Sequence, residues 1–280
     1  MDKAIKKYFP IFMLPTMAAF TIGFVLPFLL GIYLSLCEFT TVTDARFVGL
    51  KNFAKVFADD TFMHSLWFTV LFTIVSVITI NLFAFIIAMI LTKGIKGTNI
   101  FRTVFFMPNL IGGIILGYIW QLIFNGILQN FERTLTYSAS YGFWGLIVLM
   151  NWQQIGYMMI IYIAGINNIP GDLMEAAQID GASKWQVLKN VTIPMLMPSI
   201  TICSFLTLTN GFKLFDQNLA LTAGAPSNKT QMLALNIYDT FYGRVGWEGV
   251  GQAKAVIFFM IVAAVAIIQL RMTKSKEVQA

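Results

Sequence analysis

Few residues in this chain could make or break bonds. His64 is the single histidine and Cys37 and Cys203 are the two cysteines, with no CxxC pair, carboxylate dyad or Ser-His-Asp set beside them. Both thiols lie in or next to apolar runs, where packing accounts for them. Gly94-Ile-Lys-Gly97 has a glycine pair but lacks the Lys-Ser/Thr end that a phosphate-cradling loop requires. These residues predict no enzyme, no metal site and no cofactor in this chain. What remains is binding chemistry. Asn81, Gln121, Asn151, Gln153, Gln154 and Asn210 are uncharged amides set inside apolar stretches. Such groups are costly in lipid unless they face partners or a cavity. Amides give hydroxyls both donors and acceptors, and an aromatic face suits the apolar face of a solute. Gln153 and Tyr157 fall four apart, a helical spacing. Asn151, Gln153, Tyr157 and Asn210 are therefore the candidate lining of a solute path. Hydrogen bonding between helices is the competing explanation for each, and the preferred one for Asn81 and Gln121.

The elements that carry these residues are apolar helices. The chain has 280 residues, 58% hydrophobic and only 11% charged, where a soluble domain carries about 25% charged residues. That composition predicts an all-α polytopic membrane protein, one domain over 1–280. The net charge of +6 forms no stripe with interleaved aromatics, which argues against nucleic acid. Six stretches are long and apolar enough to cross a bilayer: Ile11–Leu36, Leu66–Leu91, Ile100–Phe124, Phe143–Ile166, Met195–Leu214 and Ala253–Leu270. Pro15 and Pro27 in the first and Pro108 in the third are expected to kink their helices. The first run is too long for a signal-peptide core and lacks a cleavage site, so it reads as a retained span.

Six spans place both termini on one side. With that side cytoplasmic, 11 basic residues fall in short inner segments and 8 in longer outer loops, the bias expected of a positive inner face. The outer loop at about 38–65 contains Val48-Gly49-Leu50-Lys51-Asn52-Phe53 and Val56-Phe57, spaced for a short surface helix. The outer loop at about 215–252 holds six glycines and prolines and reads as irregular and turn-rich. Lys213 and Asp216, three apart at a helix end, are expected to pair with each other. No ionisable residue sits near the centre of a span, which disfavours an ion-coupled secondary transporter, the alternative reading.

The longest polar interruption on the inner side runs from about 170 to 194. Asp172 is placed to cap a first helix and Ser183 a second, with Asp180-Gly181 as the turn between them. Leu173, Ala176 and Ala177 fall on one face, as do Trp185, Leu188 and Thr192. The physical alternatives are an interfacial cap on the bundle and a docking element. Glu175-Ala176-Ala177, with Gly181 six residues after the Glu and Ile193-Pro194 beyond, resembles the EAA loop of binding-protein-dependent ABC importer permeases. Ile179-Asp180-Gly181-Ala182-Ser183, Trp185 and Pro194 are similar to carbohydrate-importer permeases in particular. Phe212-Lys213-Leu214-Phe215-Asp216, Thr222-Ala223-Gly224-Ala225-Pro226, Gln252-Ala253-Lys254-Ala255, Val48–Phe53 and Arg102–Pro108 extend the resemblance over most of the chain. Ala223–Pro226 departs from a Gly-Gly-Gly-Pro-like turn, and Lys254 stands where small residues are usual.

The resemblance implies a permease subunit of an ATP-driven sugar importer. It implies a second permease subunit, two ATP-binding subunits that hold ATP and Mg, and an extracytoplasmic solute-binding protein, all around a bacterial cytoplasmic membrane. It makes Glu175, Ala176, Ala177, Asp180, Gly181, Trp185 and Leu188 the ATPase-coupling residues.

Overall fold

The computed structural model describes residues 2–275, and the side chains of 2–8 and 10 are outside that description. Lys276 and the side chains of Lys3, Lys6 and Lys7, four of the 11 basic residues expected on the inner side, therefore lie outside the described residues. The chain is helical. α1 (Asp2–Phe20) runs through a π-turn, Thr21–Val25, into α2 (Leu26–Ser35). Two-residue strands β1 (Cys37–Glu38) and β2 (Arg46–Phe47) pair antiparallel, followed by α3 (Lys51–Phe57) and α4 (Asp60–Leu91). α5 (Thr98–Phe106), α6 (Gly113–Leu128) and α7 (Ala139–Asn167) come next. α8 (Gly171–Ile179) and α9 (Lys184–Val187) lead through a second π-turn, Leu188–Thr192, to α10 (Ile193–Met195) and α11 (Met197–Phe212). α12 (Asp216–Leu221), α13 (Leu233–Gly243) and α14 (Glu248–Lys274) complete it.

Among the described residues, five helices are long and apolar enough to span a bilayer, and a sixth span results if the bent pair Lys184–Met195 and Met197–Phe212 counts as one. The expected third span, Ile100–Phe124, is not one helix. α5 ends at Phe106, a 3₁₀ turn carries Met107–Leu110, and the chain restarts at Gly113. Pro108 removes a donor and Gly112 leaves the helix, with φ −61° and ψ 140°, so the interruption is a break and not a kink. The expected fifth span is likewise shorter, because the chain bends by 68° before α11.

Prolines act unequally. Pro15 leaves α1 uninterrupted. Pro27 and Pro194 each follow a π-turn whose third residue, Gly23 or Asn190, carries the carbonyl that the proline ring would crowd. The 215–252 loop differs from its expected form in two ways. It contains α12 and α13, so only its connecting segments are irregular. Gly249 and Gly251, read as turn formers, lie inside α14. A side chain at Gly249 would overlap the Cys37 carbonyl, so this glycine serves close packing.

The chain forms two compact units, Met1–Asp60 with Ile237–Met260, and Thr61–Asn236 with Ile261–Ala280. In the first, Leu34, Cys37 and Phe39 are buried with Ala45 and Phe241 against them. Asn52 ties this region together, its Nδ2 donating to the carbonyls of Ser35 (3.0 Å) and Cys37 (2.7 Å). Lys254, expected in an outer loop, is instead fully buried in α14. Its Nζ donates to Asp59 Oδ2 (2.8 Å) and Thr240 Oγ1 (2.7 Å), with the Arg244 guanidinium 3.7 Å from the same carboxylate oxygen. A buried charge survives only when paired in this way. Lys254→Ala should destabilise the chain by about 3 kcal/mol, because Asp59 loses its nearest cation. Lys254→Met combined with Asp59→Leu should recover most of that loss. Thermal denaturation of the purified protein reads both, and a double variant no more stable than the single one would refute the account.

In the second unit the core is centred on α7, whose apolar window is 61% buried against 28% for α4. Phe72, Ile80, Leu146, Leu149, Met150, Met158, Met159, Tyr162 and Cys203 form it. Asn81 is structural, as expected. Its Nδ2 donates to Thr207 Oγ1 (3.0 Å), and its Oδ1 accepts from the Tyr162 hydroxyl (2.8 Å). The same holds for Gln121, which donates to the carbonyl of Leu221 at the end of α12 (3.0 Å).

Candidate functional site

Two adjacent amides on α7 organise a cavity. Successive helical residues point about 100° apart, so Gln153 and Gln154 reach different neighbours. Gln154 Oε1 accepts from Asn210 Nδ2 on α11 (3.0 Å). Gln153 Oε1 accepts from Gln217 Nε2 on α12 (2.8 Å), while its own Nε2 donates to the Ile111 carbonyl (3.3 Å). That carbonyl is available because the chain between α5 and α6 is not helical. The two α7 amides thus hold both sides of the elbow Lys213–Phe215, where α11 stops and α12 begins.

The elbow bounds a cavity of ≈ 250 Å³ lined by Met150, Gln154, Asn210, Lys213, Leu214, Phe215, Asp216 and Gln217. α12 reaches it by packing tightly on α6. Side chains at Gly113 and Gly117 would run into Asp216 Cβ and Ala220 Cβ, each at 2.7 Å. Lys213 and Asp216 do not sit on one helix, and among the described residues no ion pair joins them. One cation and one anion therefore face a cavity otherwise supplied with neutral amides and an aromatic ring.

Of the four residues expected along a solute path, Asn210 lines this cavity and Gln153 stands one hydrogen bond behind it. Asn151 is turned to α4, donating to Thr79 Oγ1 (2.9 Å) and to the Ile147 carbonyl (2.8 Å). Tyr157 is half-buried with its ring 6.3 Å from that of Phe106. Neither is among the residues that line the cavity. Gln154 carried the same signal as Gln153, an amide in an apolar run. Gln217 carried none, since it lies in a segment that reads as loop.

The second candidate region is the surface hairpin of α8 and α9. α8 begins after Pro170 and not after a cap at Asp172, which sits in its first turn without a capping bond. The helix ends as a Schellman motif. Ala182 N–H donates to the Ala177 carbonyl (3.0 Å) and Gly181 N–H to that of Gln178 (3.1 Å), with Gly181 at φ +73°. Ser183 caps α9 as expected, in a reciprocal box with Gln186. Glu175, Ala176, Asp180, Gly181 and Trp185 are exposed, and Ala177 and Leu188 are half-buried. Thr192 is buried, so the Trp185 face is not uniform. Ile179 (86% exposed) and Trp185 (68%) give the hairpin an apolar surface that nothing in this chain covers among the described residues.

Apolar helices long enough to span a bilayer, an amide-lined cavity and an exposed hairpin fit a multi-pass membrane protein. The chain belongs to the binding-protein-dependent transport system inner membrane component family, whose pattern matches residues 80–275. It is 44% identical over 277 residues to the probable starch degradation products transport system permease protein AmyD of Thermoanaerobacterium thermosulfurigenes, covering 96% of this chain and 94% of that protein. The multiple sugar-binding transport system permease protein MsmF of Streptococcus mutans is 30% identical, with 99% of each chain covered. Among solved structures, a chain of a bacterial ABC transporter involved in import of the acidic polysaccharide alginate superposes with a TM-score of 0.80. At 19% identity and 98% coverage of both chains, that likeness concerns the fold.

Proposed function

We infer that this chain is the permease subunit of an ATP-driven sugar importer, forming half of a translocation path and coupling it to a separate ATPase. The observation that carries the reading is the cavity where Gln154, Asn210 and Gln217 converge, with Gln153 behind them, in a chain of this family. Amides hydrogen-bond hydroxyls in either sense, and Phe215 offers a ring face. Lys213 and Asp216 offset one another, so the cavity suits a neutral oligosaccharide better than an acidic one. The relatives named for starch products and multiple sugars support the same class.

The exposed hairpin supports a partner on the face that carries it. We assign that face to the cytoplasm, with both termini, on the basic-residue bias. There Trp185, Ile179 and Leu188 supply apolar anchorage to an ATP-binding subunit, and Glu175 the polar contact. A second permease, a second ATP-binding subunit and an extracytoplasmic solute-binding protein complete the assembly in a bacterial cytoplasmic membrane. ATP and Mg belong to the partner chains.

Proteoliposomes containing the whole transporter test this. Uptake of a labelled malto-oligosaccharide should require ATP and the binding protein and survive collapse of the proton gradient. Uptake driven by the gradient alone would replace this reading with an ion-coupled carrier. Within the active transporter, Asn210→Ala should lower the uptake efficiency about 10-fold, as expected for loss of one half-buried hydrogen-bonding group facing the cavity. Asn151→Ala should change uptake less than Asn210→Ala, and the reverse order would move the path away from the cavity.

A further inference from the structure

A second crevice, away from the amide cavity, lies where α4 and α7 begin. It has a volume of ≈ 300 Å³ and is lined by Trp67, Phe68, Leu71, Phe143 and Trp144, with Ala139, Ser140, His64 and Lys229 completing the lining. Both helices are long enough to span a bilayer. At about 1.5 Å per residue, Leu71 lies some 16 Å along α4 from Asp60, so the crevice runs from the interface into the hydrocarbon. Its walls face outward, Trp67 being 70% and Trp144 56% exposed. Interfacial tryptophans alone would need no further explanation. The lysine does.

Lys229 forms no ion pair with any described residue and comes from a loop that is held in place at several points. Ala223, Ser227 and Asn228 in that loop all have positive φ, at +46°, +50° and +60°, a conformation that costs energy in a non-glycine residue. Buried hydrogen bonds maintain it. Thr230 Oγ1 donates to the Ala225 carbonyl (2.7 Å) and Asn218 Nδ2 to the Thr230 carbonyl (2.8 Å). His64 Nε2 donates to the Lys229 carbonyl itself, at 3.0 Å. The Lys229 backbone is thus fixed beside an apolar slot that its exposed side chain helps to line. No carboxylate lines the crevice to receive a cationic headgroup.

We propose that this crevice binds one anionic phospholipid, its phosphate on Lys229 and an acyl chain along Trp67, Leu71, Phe143 and Trp144. Charge complementarity with Lys229 and the aromatic walls that run along α4 and α7 together select this occupant over a soluble sugar or a protein segment. The test is native mass spectrometry of the intact transporter released from membranes containing equal phosphatidylglycerol and phosphatidylcholine. One phosphatidylglycerol per copy of this chain should be retained about 10-fold over phosphatidylcholine. Lys229→Gln should bring the two lipids to parity. Leu71→Trp, at a partly exposed position, should fill the slot and abolish retention with Lys229 intact. Equal retention by the wild type, or unchanged preference in Lys229→Gln, overturns the proposal. So does a photo-crosslinker at Trp144 that captures another subunit in place of lipid.

Discussion

Gly181→Asp should leave the chain inserted in the membrane at normal abundance and yet abolish transport, with ATP hydrolysis uncoupled from substrate. The reason is conformational. Gly181 sits at φ +73°, and no atom lies within 4 Å of where a Cβ would be, so an added side chain meets strain but no clash. A non-glycine residue in the left-handed region costs about 1–2 kcal/mol. That is too little to unfold the bundle and enough to open the α8 C-terminus, where Gly181 and Ala182 satisfy the last carbonyls. Asp also adds a third negative charge beside Glu175 and Asp180. Gly181→Asn, which meets the same left-handed backbone at similar cost but adds no charge, should lose less activity, and the difference isolates the effect of the charge. ATPase activity in the assembled transporter, with and without loaded binding protein, provides the readout. Normal substrate-stimulated hydrolysis in Gly181→Asp would remove the hairpin from the coupling path.

Gly156→Ala should act on folding. Gly156 is buried in α7, and a Cβ there would overlap the Phe105 carbonyl and meet the Phe106 N at 2.7 Å. The obstacle is backbone at the end of α5, which cannot rotate aside as a side chain could. Overpacking costs about 1–3 kcal/mol in general, and a backbone obstacle places this site at the upper end. The variant should accumulate poorly and melt several degrees below the wild type in detergent. Gly126→Ala in α6, with nothing within 4 Å, is the matched control and should be neutral. A Gly156→Ala protein with unchanged melting would mean that α5 and α7 can part without loss.

What was legible in the sequence depended on how local the governing physics is. Long apolar runs announced α1–α2, α4, α7 and α14, because length and hydropathy alone decide whether a helix can span. The hairpin was legible because Asp180-Gly181 and Ser183 declare a turn and a cap within a few residues. The break before α6 was half legible. Pro108 and Gly112-Gly113 are visible, but whether a helix bends or stops depends on whether a neighbour accepts the exposed carbonyls. Here Gln153 takes that of Ile111.

Lys254 was misplaced because charge suggested water, and only tertiary structure could supply Asp59, 195 residues away. Gln217 escaped notice for the opposite reason. The glycines and proline within the 215–252 segment masked a short helix that forms against Gly113 and Gly117. Of the cavity, the amides inside spans could be read from their cost in lipid. Their pairing could not, since it depends on an elbow produced by the end of α11.

The π-turn at Leu188–Thr192 bears on how the hairpin is keyed to the membrane. A π-turn accommodates one residue more than α-helical winding would, displacing the residues before it by roughly 100° of azimuth relative to those after it. Trp185 and α11 stand on opposite sides of that extra residue. The compass bearing of Trp185 about the axis is therefore written into chain length as much as into side-chain identity. Homologues that differ by one residue at this point would present a different side of the hairpin even if every residue type in it were retained.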